Sequence, residues 1–215
     1  MKKAAAPLLL ILTALLAVQA GATVVTSIPG GTVIPMPVLN YFGPGPQTFS
    51  GVTWSSTNAS TQGGSVFGYT GGYGFGSNGS WDGSLGPMAG VNDANVIYGV
   101  TDTMAFSFAT PVMAVGGFIN YYPDAITTPT VIAVYDSSLN LIESFTLSFS
   151  TGGGTNSGFF FGFQETTPIS QFTLTDNYVG ITNLTVASVP EPGTLTLIGT
   201  GLIGAFGLIR RRMGK

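Results

Sequence analysis

Residues 130–149 read TVIAVYDSSLNLIESFTLSF. Val131, Ala133 and Tyr135 alternate with Ile132 and Val134, the two-residue period of an extended strand. Asp136-Ser137-Ser138-Leu139-Asn140 follows, rich in residues that bond to their own backbone and tolerate tight bends. Leu141 to Phe149 then returns to an extended pattern. Strand, turn and strand in this order predict an antiparallel hairpin.

Similar stretches lie on both sides. In Thr103 to Phe108, Met104, Phe106 and Phe108 share one face, and Val112 to Ile119 follows after Pro111. Gly158 to Phe163, Ile169 to Thr175 and Gly180 to Ala187 extend the series at roughly ten-residue spacing. No run of helical periodicity interrupts it. The predicted fold class is all-β, an antiparallel sandwich or jelly roll over residues 23–188. The first half differs in composition: residues 63–86 hold ten glycines together with Phe67, Tyr69, Tyr73, Phe75 and Trp81. Turn geometry and local packing are the favoured reading, and an exposed aromatic surface is the alternative.

The charges are segregated. All six basic residues lie near the ends, at Lys2, Lys3, Arg210, Arg211, Arg212 and Lys215. From Thr23 to Val189 there is no lysine, arginine or histidine, and there are eight acids, giving the body a net charge of −8. Such a surface repels nucleic acid, because affinity for phosphates comes mainly from lysine and arginine. The chain has no cysteine or histidine, which excludes Ser-His-Asp and Cys-His hydrolysis, structural zinc sites and thiol redox centres.

Both ends are apolar. Residues 1–22 carry two lysines, an uncharged run and small residues at Ala20 and Ala22, the order of a signal peptide cleaved after Ala22. At the other end, 194–209 is uncharged and stops at Arg210-Arg211-Arg212. A helix of this length reaches about 24 Å, slightly under a hydrocarbon core of roughly 30 Å. The arginines belong on the cytoplasmic side, which leaves the body outside.

The sequence Val189-Pro190-Glu191-Pro192, followed by the apolar run and the triple arginine, resembles the PEP-CTERM sorting signal. The resemblance covers the last 27 residues. It implies recognition by an exosortase at Pro190-Glu191-Pro192, a precursor anchored in the inner membrane, and delivery to the surface or extracellular matrix of a bacterium that makes exopolysaccharide. Residues 101–187 also resemble the β-sandwich bodies common among such proteins, in VGGFINYY (115–122), VIAVYDSSLNLIESF (131–145), FFFGF (159–163) and YVGITNLTV (178–186). Relatives often carry Gly-Ile-Asp-x-Leu where this chain has Gly180-Ile181-Thr182-Asn183-Leu184.

Candidate chemistry in the body is sparse. Gly74 to Gly79 spells G-x-G-x-x-G, but no helix is expected after it, so a dinucleotide site is not. Calcium is the cation an acidic exported domain would take, with Asp82, Asp93 and Asp102 as carboxylate ligands and Asn78, Asn92 and Asn95 nearby in sequence. Glycan binding would use aromatic faces, for which Trp54, Trp81, Tyr121 and Tyr122 are candidates, with Asn120 and Asp124 for hydroxyls. Glu143 and Glu165 are the body's only glutamates, and nothing in their spacing marks an acid–base pair. The expectation is a non-enzymatic surface or matrix protein with a structural or adhesive role. A carbohydrate-binding module, with or without calcium dependence, is the second reading, and a glycan-active enzyme the third.

Overall fold

The structure is a computed structural model of the 215-residue chain and describes residues 23–61, 64–92, 101–123 and 129–188. The leader with Ala22, Asp93, Asn95, Asp124 and the whole segment 189–215 lie outside the described residues. No helix among the described residues is long and apolar enough to cross a membrane.

The elements run β1 (Thr23–Val25), β2 (Thr32–Val33), β3 (Tyr41–Phe42), β4 (Gln47–Phe49), β5 (Val52–Ser56), β6 (Ser65–Tyr69), β7 (Tyr73–Gly74), a 3-10 turn (Gly76–Asn78), β8 (Ser80–Trp81), β9 (Met88–Val91), β10 (Asp102–Tyr121), β11 (Val131–Tyr135), β12 (Leu141–Thr146), β13 (Phe159–Asp176) and β14 (Val179–Ser188). The fold is all-β and its named strand pairs are antiparallel. The expected hairpin is β11–β12, with Val131 opposite Thr146. Its turn is tied by Asp136, whose Oδ1 accepts the N–H groups of Ser138 and Asn140 at 2.8 and 2.9 Å. These bonds, led by the Asn140 side chain, hold the Asp136 carboxyl below the usual range.

Two long strands organise everything else. The residues on either side of Pro111, expected as separate strands, form the continuous β10, and those on either side of Pro168 form β13. Both ladders break where the prolines sit: register shifts fall between Ser107 and Ala114 on β10, opposite 164–171 on β13. Proline has no N–H to give a ladder, so a bend is where a long strand tolerates it. Each strand changes partners at its bend. Before it, β10 pairs with β5 and with the second half of β13; after it, with β14 and the first half of β13.

The bends bring distant residues together. The ends of β10 meet at the β13–β14 turn, with Asp102 opposite Asp176 and Tyr121 opposite Val179. At the other pole, Ala114 lies between Gln164 and Ala187, Gln164 faces Thr23, and Val112 faces Ser188. The first and last described residues of the body therefore leave from the same pole, beside the bends.

The inner faces pack as alternation predicts, with Met104, Phe106, Phe163, Phe172, Leu174 and Ile181 fully buried. Contacts between strands that are not ladder neighbours close the interior. The Trp54 ring on β5 stacks on Phe67 of β6 at 5.1 Å, and Phe145 of β12 stacks on Phe161 of β13 at 6.0 Å. The glycine-rich half belongs to the same body: β6 and β9 join the sheet through β14, and Tyr73, Phe75, Trp81 and Met88 form a satellite cluster beside it. Thr182, within the Gly180–Leu184 stretch, is buried and donates to the Pro87 carbonyl at 3.0 Å. A carboxylate there would have nothing to donate.

Gly116 and Gly162 face each other in the β10–β13 ladder. A Cβ at Gly162 would lie 2.3 Å from the Val115 carbonyl oxygen and 2.6 Å from Gly116 Cα. Gly162→Ala should therefore destabilise the protein by about 1–3 kcal/mol, read as a lower urea midpoint. Gly74→Ala, whose Cβ would meet nothing within 4 Å, should change stability by no more than about 0.5 kcal/mol.

Candidate functional site

The residues picked out for calcium and glycan binding separate once folded. Asp82 is exposed and accepts the Ser84 N–H at 2.9 Å. That bond and those from Ser84 and Asn156 side chains hold its carboxyl below the usual range. Asp102 belongs to a different network, accepting from Thr57 Oγ1 at 3.0 Å and Asn58 Nδ2 at 2.7 Å. Among the described residues no group of three or more carboxylates is placed to hold a metal ion.

Three of the four candidate stacking aromatics are buried. Trp54 is 0% exposed between Tyr41 and Phe67, and Trp81 is 2% exposed between Phe75 and Phe118. Tyr121 is 4% exposed against Phe149, to whose carbonyl its hydroxyl donates. Their ring faces are spent on protein, which corrects the expectation that they stack on sugar. Asn120 is likewise internal: its Nδ2 donates to the Asn78 and Ser157 carbonyls, and its Oδ1 accepts the Tyr121 N–H. The G-x-G-x-x-G stretch closes on a 3-10 turn instead of opening an α-helix, as expected.

Tyr122 alone keeps an accessible ring, and it has company. It sits edge to face with Tyr178 at 5.9 Å, and its N–H donates to the Tyr178 carbonyl at 2.9 Å. Both tyrosines are half-buried. Gly76 makes room for the ring, since a Cβ there would come within 2.0 Å of Tyr122. Beside them in the β13–β14 turn lie Asp176 and Asn177, each 1% exposed. Asp176 accepts from the Thr130 hydroxyl and from the Asn177 N–H, while both amide atoms of Asn177 are buried without a partner. Sequence reading missed this cluster, although an Asp-Asn-Tyr run interrupting two alternating strands marks a turn with polar and aromatic content.

This turn pole, with Tyr122, Tyr178, Asp102, Asp176 and Asn177, is the candidate site. It lies opposite the pole from which Thr23 and Ser188 leave. The half-buried rings, paired edge to face, offer a small apolar surface of the kind a sugar ring stacks on, while Asp102, Asp176 and Asn177 lie behind them and shape the turn. The bend pole holds a cavity of about 180 Å³, lined by apolar groups including Ile34, Val52, Phe108 and Val186.

The structure also joins two residues that their spacing left unconnected. Glu143 of β12 and Glu165 of β13 meet as a carboxyl pair in the interior. Burial and then the neighbouring Glu143 push Glu165 up to about 7.

Burial likewise pushes Asp176 up to about 6, against the bonds from Thr130, Asn177 and Tyr178 that favour its charged form. A raised folded-state value means the fold favours the protonated acid. The contribution is complete below the ordinary value of 3.8 and is lost as pH rises through about 6. Asp176→Asn should flatten this part of the pH dependence, measured as urea midpoints from about pH 4 to about pH 6.

The chain matches no curated protein and no solved structure. Residues 188–212 match the PEP-CTERM protein-sorting motif. The matched segment begins at the last residue of β14, so the motif follows the folded body without a linker. In that segment the chain is similar to PEP-CTERM proteins, consistent with an exosortase substrate.

Proposed function

We propose that the chain is an exported, exosortase-processed surface or extracellular-matrix protein, non-catalytic, whose antiparallel β-sandwich of jelly-roll type has a structural or adhesive role in an exopolysaccharide matrix. A leader removed after Ala22 exports it. The helix 194–209, with Arg210, Arg211 and Arg212 in the cytoplasm, holds the precursor in the inner membrane until exosortase acts at Pro190-Glu191-Pro192.

The observation that carries this reading is the shared exit of the two ends. Thr23 and Ala187 lie on one cross-strand row with Gln164 and Ala114. A body whose leader and anchor leave from one pole can be exported and tethered without inverting, and it turns the opposite pole outward. A body with acids and no base resists non-specific capture by anionic polymers, so retention in a matrix must come from specific contacts. The Tyr122–Tyr178 pair at the outward pole supports the second reading, a carbohydrate-binding module.

Replacing Pro190-Glu191-Pro192 with alanines in the producing cell should leave the protein in the membrane fraction, where the native sequence appears outside the cell. Fractionation followed by immunoblotting checks this, and release of the variant at the native level would remove exosortase processing from the account. Immobilised exopolysaccharide should retain the secreted protein saturably under the second reading, and Tyr122→Ala or Tyr178→Ala should each weaken retention by about tenfold. Parallel runs with calcium and with chelator decide whether the cation takes part. Absence of retention in both would leave the purely structural role.

A further inference from the structure

We propose that Glu143 and Glu165 form a proton-operated clasp that fastens edge strand β12 to β13 across the interior, closed while the pair shares a proton and released when both carboxylates are charged. In the sheet order β12 lies outermost and β11 separates it from β13. The ladder therefore holds β12 on one side only, through β11. Its inward face does the rest. Glu143 alternates with Phe145 and Leu147, and Glu165 with Phe163 and Phe161, so the stacked Phe145–Phe161 pair and the facing glutamates belong to one contact.

Glu165 is 5% exposed, and its Oε1 and the Oε2 of Glu143 are buried without a hydrogen bond from any other group. A carboxylic acid can donate its O–H to a facing carboxylate, whereas two carboxylates can only repel. The surroundings supply no positive charge. On β11 the ionisable group is Tyr135, opposite Leu141, and the adjoining Asp136 is occupied by its own turn. Opposite Gln164, β1 carries Thr23, whose nitrogen is a neutral amide in the full chain. The acids of β10 and of the far end of β13 are Asp102 and Asp176, at the turn pole, and residues 23–189 contain no lysine, arginine or histidine.

The direction of the response follows. Burial and the neighbouring carboxyl hold Glu165 protonated beyond its ordinary range, up to about 7. Stability from this pair is therefore complete below the ordinary value of 4.5 and falls as pH rises through about 7. Loss of the clasp frees β12 first, because no second ladder holds it, and uncovers the open edge of β11 and the Phe161 ring on which Phe145 stacked. An acidic matrix keeps the strand shut and an alkaline one loosens it.

Hydrogen exchange of the full chain in mild detergent tests this at about pH 5.5 and about pH 8.5, with rates normalised for intrinsic base catalysis. Amides of residues 141–147 should lose about tenfold or more of their protection at the higher pH, while residues 102–107 keep theirs. Glu143→Gln and Glu165→Gln, made separately, should each hold β12 protected at both values, since an amide can donate to the remaining carboxyl whatever the pH. Asp176→Asn should leave the β12 response intact. Equal protection of β12 at both pH values in the unaltered chain would overturn the proposal, as would a pH response that survives both glutamine variants. Restoration of protection at the higher pH by calcium, lost on chelation and absent in Glu165→Gln, would also overturn it by making the pair a cation site.

Discussion

The ladder between β10 and β13 is the contact on which the other elements depend. It runs nearly the full length of two strands of 20 and 18 residues, and both bend at the same place. One half of the ladder carries β5 and β11 on its flanks, and the other carries β1 and β14, on which β2 and β9 then pair. Elements of two or three residues such as β1, β2 and β4 have little stability of their own and exist as additions to this spine. The facing glycines at 116 and 162 let its two backbones approach without side chains between them.

A second constraint is chemical. With no base in the body, each buried acid must be met by neutral donors or by another acid. Buried Asp176 is met by Thr130 and backbone N–H groups; nearer the surface, Asp102 is met by Thr57 and Asn58 and Asp136 by its own turn. Glu165 keeps a buried oxygen, Oε1, for which the described residues provide no donor except its neighbour's proton. The carboxyls thus record how far each site compensates for burial, and proton occupancy takes over where compensation stops.

The local pattern of the fold was legible. The hairpin around Asp136 and the inward face of Met104, Phe106 and Phe108 follow from alternation and turn chemistry, both of which act over a few residues. The continuity of β10 and β13 was not, because a proline reads as a strand end whether the chain stops or bends there. Alternation also names the residues on a face without naming the face opposite, so Glu143 and Glu165 gave no sign of meeting. Aromatics among glycines pose the same difficulty: Trp54 and Trp81 look alike as core or as platform until tertiary packing decides, and it buried both. Tyr178 was overlooked because its value depends on Tyr122, which is 56 positions away in the chain and reaches it only through the pairing of Tyr121 with Val179.

The orientation of β14 has a mechanical consequence. This ten-residue strand runs from the turn pole at Val179 to the bend pole at Ser188, where the sorting segment begins. It is paired along one side with β10 and along the other with β9 and β2. A pull between the anchored end and anything gripping the turn pole acts along the strand axis. The ladder bonds are then loaded in shear and must yield together, whereas a strand pulled sideways peels one bond at a time. A pull on Ser188 is thus met by a strand paired along both of its edges.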